Sequence, residues 1–305
     1  MRRRGDGASR LGERERSDVR RGLRRTGGLA VLAAMLLAGP AVSIATATAP
    51  PIYRNVSYGP SPGELETIYS ARAPGATTII LVHGGGWRFQ KLATEVGSQA
   101  KSLQLQGFAV FDINYDQDSL TEPAFPLETN DVNQATEWAI ANAAAYNANP
   151  TNVVMIGGSA GGQLVARSAE QLNLAVPGTV KAVVSLSGPM NFTTLVPLAV
   201  SGQIKDRNYV VSIAQALGCP GMLSACSPAY EAEWSPALNL PSTGCPDWLL
   251  FASEVDTTAV LQADEMLADL TAASCSATMA TVPIGHGFSY WSQVSARIFA
   301  FVRAE

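Results

Sequence analysis

The sequence has 305 residues, and the residue types and patterns that are scarce in it exclude several classes of protein. Charged residues make up only 15% of the chain and apolar residues 47%, a balance that argues against disorder and supplies one large buried core of the α/β kind. The chain contains no internal repeat and no low-complexity linker. Its apolar run at 29–39 has eleven residues, too few for a stable helix across a bilayer.

Motifs for metals and nucleotides are scarce as well. The chain has two histidines and four cysteines, and the cysteine spacing, with neither histidine nearby, does not match a zinc site. The patterns G-x-x-x-x-G-K-[ST] and G-x-G-x-x-G are both absent. The sequence therefore argues against a zinc centre and against a phosphate-cradling nucleotide site.

The N-terminus has the order of an export signal. Residues 1–25 contain ten arginines and four acids, a local net charge of +6 that leaves −10 for the rest of the chain. The apolar run follows, and then the small residues of "AVSIATATA", so that 1–47 is predicted to be a signal peptide cleaved near 45–49. The pair Arg24-Arg25 is compatible with twin-arginine export, and a retained short membrane anchor is the alternative interpretation.

After cleavage the protein is expected to be secreted and acidic. An acidic surface argues against nucleic acid or an anionic membrane as a partner. An even number of cysteines in an exported chain indicates disulfides, and four cysteines allow three pairings. We favour Cys219 with Cys226, which flank a compact loop, and Cys245 with Cys275, which would tie neighbouring elements.

Apolar runs alternate with helical stretches in the order of a parallel sheet covered on both faces. The segments "IYRNVSY" and "LETIYS" are predicted to form an opening antiparallel pair. Further strands are predicted at 77–82, 108–113, 152–157, 180–187, 247–253 and 277–282, and helices at 91–106, 130–147, 160–173, 259–272 and 288–303. Residues 50–305 are thus expected to form one domain, in which 190–241 is an irregular insertion that serves as a lid or pocket wall.

One serine stands among four glycines in "MIGGSAGGQLVA". It follows a predicted strand and precedes a predicted helix. Gly157-Gly158-Ser159-Ala160-Gly161 is therefore a G-x-S-x-G motif in the strand-turn-helix context that indicates a nucleophile. Glycine is expected two positions before and two after the serine, because bulky side chains there would collide with the adjoining strand and helix. Ser159 is therefore the candidate nucleophile, with a flexible glycine loop as the alternative.

A serine hydroxyl needs a base, most often histidine, and the base needs an acid that fixes its tautomer. Because the carboxyl ends of parallel strands share one edge of the sheet, both histidines are predicted to lie near Ser159. We select His286, which follows the last strand. We select Asp256 as the acid, since it lies just beyond a strand and ahead of a helix, and Glu254 is the alternative.

The glycines of "HGGGW" supply the remaining feature, an oxyanion hole. Backbone amides after a strand can turn inward where no side chain obstructs them, so Gly85 and Gly86 are the predicted donors together with the amide of Ala160. A shift of one donor to Trp87 is the alternative. His83 is then predicted to support the loop through its ring nitrogens.

These motifs resemble those of the α/β-hydrolase carboxylesterases of the "HGGGW" and "GGSAGG" type, which are similar to bacterial feruloyl and acetyl esterases and neighbour the hormone-sensitive-lipase type. The resemblance runs from about Thr77 to the C-terminus and includes "SLSGPMNF", "SPAL" and "GHGF". It implies a mostly parallel eight-stranded sheet with helices on both faces and a small insertion after strand 6. It also implies hydrolysis of small or polymer-linked esters through an acyl-enzyme, with no metal and no organic cofactor.

Two departures and two rival functions remain. Lipase-type relatives usually carry an acid where this chain has Gly158. They also carry a helical cap, whereas only about thirty residues lie between the predicted cleavage site and the oxyanion loop of this chain. The pocket is therefore expected to be open and to accept bulky or polymeric esters. An amide-directed hydrolase, such as an arylformamidase or a small peptidase, would use the same triad. A non-catalytic binding module would normally have lost part of it.

Overall fold

The computed structural model describes residues 49–88, 96–117, 123–219 and 221–305. The predicted signal peptide at 1–47 lies outside these residues. Within them, one eight-stranded sheet contains β1 (Ile52–Ser57), β2 (Leu65–Tyr69), β3 (Ala76–Val82), β4 (Ala109–Ile113), β5 (Ala148–Gly158), β6 (Ala182–Leu186), β7 (Asp247–Ser253) and β8 (Ala277–Val282).

The strand order is β1-β2-β4-β3-β5-β6-β7-β8. The β1–β2 and β2–β4 pairs are antiparallel, and the pairs from β4–β3 to β7–β8 are parallel. This topology confirms the predicted mostly parallel sheet and its antiparallel opening. Because β4, β3, β5, β6, β7 and β8 run in one direction, their carboxyl ends collect along a single edge.

The helices are α1 (Gly97–Leu105), α2 (Leu127–Asn142), α3 (Ala160–Ala175), α4 (Phe192–Val200), α5 (Arg207–Ala216), α6 (Pro228–Glu233), α7 (Thr257–Ala272) and α8 (Trp291–Val302). Side chains of α2, α3 and α7 pack into the core on one face of the sheet, and side chains of α1 and α8 into the core on the other face. Both faces of the central strands are therefore buried. In β3, for example, Ile80 and Ile79 are fully buried on opposite faces, which explains why the strand is a continuous apolar run.

The insertion at 190–241 follows β6, as predicted, but it is not irregular: it contains α4, α5 and α6. Each of these short helices begins at a side-chain cap. Asn191 accepts a hydrogen bond from the amide of Thr193, Asp206 accepts from the amides of Asn208 and Tyr209, and Ser227 caps α6. The expected irregularity is wrong, because proline is compatible with the first turn of a helix, where Pro228 lies in α6, and the capping residues favour helix starts.

Two disulfides are present, in the pairing that the sequence favoured. Cys219–Cys226 closes a loop within the insertion, and Cys245–Cys275 connects the segment before β7 to the segment between α7 and β8, with Cα–Cα distances of 5.2 Å and 5.8 Å. Such bonds are typical of proteins outside the reducing cytoplasm. No helix of the described residues combines the length and the apolarity needed to cross a membrane.

Candidate active site

Ser159 occupies the sharp turn between β5 and α3. Its backbone angles are φ 55° and ψ −124°, a conformation that costs a non-glycine residue about 1–3 kcal/mol and persists only where the surroundings enforce it. Backbone hydrogen bonds stabilise this conformation. The amide of Ser159 donates to the carbonyl oxygen of Leu186 at 2.8 Å, and the amide of Gly162 donates to the carbonyl oxygen of Ser159 at 2.9 Å. The turn thus holds the serine side chain at the carboxyl edge of the sheet.

The flanking glycines are required by contact distances. A Cβ at Gly157 would lie 2.1 Å from the carbonyl oxygen of Gly161, and a Cβ at Gly161 would lie 2.3 Å from that of His83. Both obstacles are backbone atoms, which cannot move aside cheaply. The predicted supporting role of Gly157 and Gly161 is consistent with these distances.

Gly158 is constrained differently, by a side chain distant in sequence. A Cβ at this position would lie 2.7 Å from Cδ2 of Phe288, so the aromatic ring fills the space that a side chain would need. No pattern in the sequence explains why glycine stands before the serine. The structure supplies a reason, because Phe288 follows His286 closely and is carried to the elbow by the same loop.

The structure brings Ser159, His286 and Asp256 together. Nε2 of His286 lies 2.8 Å from Oγ of Ser159, and Nδ1 lies 2.6 Å from Oδ2 of Asp256. Because an ionised carboxylate only accepts, Nδ1 carries the proton in this arrangement and Nε2 is free to accept from the serine hydroxyl. The loops after β5, β7 and β8 carry the three side chains, as the parallel topology predicts.

Asp256 is held by donors on both of its oxygens. It caps α7, where its Oδ1 accepts from the amide of Ala259 at 3.0 Å, while Oδ2 accepts from His286. Burial alone would raise the pKa of Asp256, but the hydrogen bonds from His286 and Ala259 outweigh it and the pKa lies below its usual value. Glu254 instead is exposed and accepts from the hydroxyl of Thr281. The structure therefore brings Asp256 rather than Glu254 to His286.

The loop after β3 has a backbone conformation that suits the predicted oxyanion hole. Gly85, Gly86 and Trp87 have positive φ angles of 122°, 59° and 63°. Among the described residues, the amides of Gly85, Gly86 and Ala160 have no hydrogen-bond acceptor, and Ala160 is the first residue of α3, whose amide has no partner within the helix. All three predicted donors are therefore available to a negatively charged oxygen.

His83 contacts this loop through one of its two ring nitrogens, whereas the sequence predicted support through both. Its Nδ1 lies 2.6 Å from the carbonyl oxygen of Gly84, and its ring stacks on Tyr115 at a centroid distance of 4.4 Å. Nε2 has no partner within the described part of the chain. Burial lowers the pKa of His83 to about 4, against a smaller opposing effect of the hydrogen bond to Gly84. The ring is therefore neutral over the physiological range.

Two cavities meet at the serine and share Gly85, Gly86, Ser159 and His286. The larger, of about 600 Å³, is walled by α5 of the insertion and by the start of α7, and Tyr209 and Ser212 line it. The smaller, of about 500 Å³, is walled by Gln99, Phe288 and Ser289. Tyr209 and Ser212 lie in the segment 190–241 that was predicted as a pocket wall, but the sequence did not single them out because α5 was not predicted. Gln99 carries no motif and was missed.

The sequence matches one family model and several curated proteins. The model of the family BD-FAE matches residues 68–236, more than half of the chain. An acetylcholinesterase of Myxine glutinosa is 27% identical over 163 residues, which are 50% of this chain and 45% of that protein. A versiconal hemiacetal acetate esterase of Dothistroma septosporum is 29% identical over 134 residues, 41% of this chain and 38% of that protein. The match thus spans less than half the length of either relative.

Solved structures share the fold. A truncated form of a carbohydrate esterase from gut microbiota is 21% identical, with a TM-score of 0.68 over 86% of this chain and 99% of that one. A bacterial heroin esterase is 20% identical, with a TM-score of 0.68 over 83% and 82% of the two chains. EstE1, a thermophilic carboxylesterase cloned from a metagenomic library, is 21% identical, with a TM-score of 0.67 over 85% and 90%. These likenesses confirm the α/β-hydrolase fold.

Proposed function

Since this chain belongs to the BD-FAE family, we propose that it is a serine carboxylesterase that hydrolyses esters through an acyl-enzyme. One observation carries the proposal: the hydrogen-bonded series from Oγ of Ser159 through the ring of His286 to the carboxylate of Asp256. A serine becomes a nucleophile at neutral pH only with a base in such reach. The esterase names of the relatives support the same reaction.

In the first half of the reaction, His286 takes the proton of Ser159 while Oγ attacks the ester carbonyl. The carbonyl oxygen becomes an oxyanion and accepts hydrogen bonds from the amides of Gly85, Gly86 and Ala160. Each such donor contributes roughly 10²- to 10³-fold in turnover. His286 then protonates the leaving alcohol, and Ser159 retains the acyl group.

Water repeats the sequence in the second half. His286 takes a proton from water, the hydroxide attacks the acyl carbonyl, and the serine leaves with the proton returned by His286. Asp256 stays ionised throughout, because its donors hold its pKa low. Its role is to keep Nδ1 of His286 protonated and to stabilise the imidazolium.

Export is part of the proposal. Two disulfides suit an oxidising compartment, and the predicted signal peptide at 1–47, possessing a basic head and a short apolar run, would direct the chain there. The catalytic domain would then be 50–305, with the insertion at 190–241 as a wall of the substrate cavity.

The two cavities on either side of Ser159 are large enough for the acid and alcohol parts of a bulky ester. We therefore expect good turnover of large or polymer-linked esters. A panel of p-nitrophenyl esters of rising chain length, with acetylated xylan, feruloyl esters and a polyester film, measures this. A strong preference for short monomeric esters would contradict it.

The reaction itself is tested with matched ester and amide substrates, p-nitrophenyl acetate and p-nitroacetanilide. We expect the ester to be hydrolysed far faster, and Ser159→Ala to lower ester turnover by roughly 10⁴- to 10⁶-fold with the fold intact. Ser201→Ala, at an exposed serine, is the control and should keep full activity. Faster amide hydrolysis would favour an amidase, and turnover retained by Ser159→Ala would refute the nucleophile.

A further inference from the structure

The oxyanion loop has a strained backbone conformation that requires stabilising contacts. Its residues Gly85, Gly86 and Trp87 all have positive φ, and for Trp87 this conformation is costly. Such a conformation persists only when the surroundings fix it. The contacts of Trp87 are therefore the place to look for what sets the position of the oxyanion donors.

Trp87 is fastened by its side chain. The side chain is 1% exposed, and its ring packs against Phe125 and Phe192, each at a centroid distance of 5.9 Å. The indole Nε1–H donates to Oε1 of Gln163 at 3.2 Å. Packing against two rings is nonpolar and has no fixed polar partner, whereas the hydrogen bond joins one defined atom of the indole to Gln163.

Gln163 connects that indole to the nucleophile and to the insertion. It is fully buried on α3, one helical turn after Ser159, and its backbone amide donates to the carbonyl oxygen of Ser159 at 3.3 Å. Its side-chain Nε2 donates to the carbonyl oxygen of Trp234, in the insertion, at 3.2 Å. An indole N–H only donates and a carbonyl only accepts, so the side chain that joins them must both accept and donate, as the amide of Gln163 does.

We propose that Gln163 is a positioning residue that sets the oxyanion loop relative to Ser159, through its hydrogen bond to Trp87. Ser159 is the N-cap of α3, and Gln163 lies in the first turn of that helix. The helix therefore sets the distance between Oγ of Ser159 and the loop whose amides would bind the oxyanion. The proposal rests on the esterase function above. It also gives the insertion a second role, because Trp234 holds the other end of the same amide.

The first test is Gln163→Leu, which leaves the indole N–H and the Trp234 carbonyl unpaired. A small displacement of catalytic groups costs up to about 10²-fold, so we expect kcat for p-nitrophenyl acetate to fall by about 10- to 100-fold while KM changes by about twofold at most. The affinity for an aryl trifluoromethyl ketone, which forms a tetrahedral oxyanion, should fall by the same factor as kcat. A merely structural role would move neither quantity selectively.

The second test is Gln163→Glu, which remains informative if Gln163→Leu does not fold. A protonated carboxyl can accept from Trp87 and donate to Trp234, and burial raises the pKa of a carboxyl introduced there. We expect turnover within about threefold of the wild type at pH 6, followed by a fall relative to the wild type as pH rises and the carboxyl ionises.

Gln104→Leu is the matched control. Gln104 is also a buried glutamine whose amide donates to a backbone carbonyl, that of Ser70 at 2.8 Å, but it lies on α1 and does not contact the oxyanion loop. This variant should lose stability and keep the wild-type kcat. Equal turnover of Gln163→Leu and Gln104→Leu, or a Gln163→Glu variant that is impaired at pH 6, would overturn the proposal. Hydrolysis by the wild type and its loss in Ser159→Ala are measured separately, so failure here leaves the proposed function standing.

Discussion

Asp256 follows, and Glu66 lies in, a strand that is second from an edge of the sheet, yet the surroundings of the two carboxyl groups are opposite. Asp256 follows β7, and both of its oxygens accept hydrogen bonds. Glu66 lies in β2 and is 1% exposed, and neither of its oxygens has a partner among the described residues. Burial, aided by the charge of Asp112, raises the pKa of Glu66 to about 9, whereas the pKa of Asp256 is lowered.

The comparison shows that donors, rather than burial, decide whether a carboxyl group can work as an anion. Asp256 is also removed from water in part, but two N–H groups replace the lost hydration. Glu66 has no replacement and is neutral at physiological pH. Asp256, at the carboxyl edge of the parallel strands, is therefore negatively charged at neutral pH. Glu66, at the antiparallel end of the sheet, destabilises the fold when it ionises.

The largest effect is expected when the paired carboxylate is removed. Asp256→Asn should lower turnover by about 10⁴-fold, because the amide favours the wrong tautomer of His286. Glu254→Gln, two residues away on the exposed side of the same loop, is the matched control and should leave turnover unchanged. Steady-state rates on p-nitrophenyl acetate measure both, and a greater loss in Glu254→Gln would show that the acid was assigned wrongly.

The next effect concerns the unpaired carboxyl. The pKa of Glu66 in the fold lies above its unfolded value of 4.5, so the contribution of Glu66 to stability is fully present below pH 4.5 and is lost as pH rises toward 9. At pH 7 this loss corresponds to about 3 kcal/mol. Glu66→Gln cannot ionise, so its free energy of unfolding should exceed that of the wild type by about this amount at pH 7 and by little at pH 5.

Urea denaturation at pH 5, 7 and 8 measures the difference, with Glu254→Gln as an exposed control. Parallel pH dependence of the wild type and Glu66→Gln would mean that Glu66 gains a partner or water in solution. The contrast with Asp256 would then be lost.

The smallest expected effect is on the pH dependence of stability that Asp256 contributes, which is opposite in sign to that of Glu66. Because the folded pKa of Asp256 is lowered, its contribution to stability is present above the unfolded value and is lost as pH falls through the folded one. The side chains of Asp256 and His286 are 26% and 52% exposed, so solvent screens the pair and the contribution is below about 1 kcal/mol. Asp256→Asn should flatten the acid limb of the plot of unfolding free energy against pH below about pH 5, and an unchanged limb would show that the pair is already open there.

The sequence predicted the sheet best where the apolar runs are short and bounded. The predicted strands 247–253 and 277–282 agree with β7 and β8 at both ends. Helix ends were less certain: the prediction of 288–303 combined a 3₁₀ turn, Gly287–Tyr290, with α8. A 3₁₀ turn has nearly the same apolar spacing as an α-helix, so periodicity does not separate the two.

The site was predictable where it depends on topology and not where it depends on packing. The meeting of Ser159, Asp256 and His286 follows from loops at the ends of parallel strands. Gln163 and Trp87 are 76 positions apart, and no local pattern relates them. The same holds for the ring of Phe288 above Gly158. Such contacts depend on the paths of whole loops, which the sequence does not specify locally.

The central claim is that Ser159 carries the acyl group during turnover. The most direct measurement is mass spectrometry of the protein quenched in acid while it hydrolyses p-nitrophenyl acetate, followed by peptide mapping. The account predicts a transient acetyl adduct on the peptide that contains Ser159, which is absent from Ser159→Ala. An adduct on another residue, or rapid turnover without a Ser159 adduct and undiminished in Ser159→Ala, would contradict it.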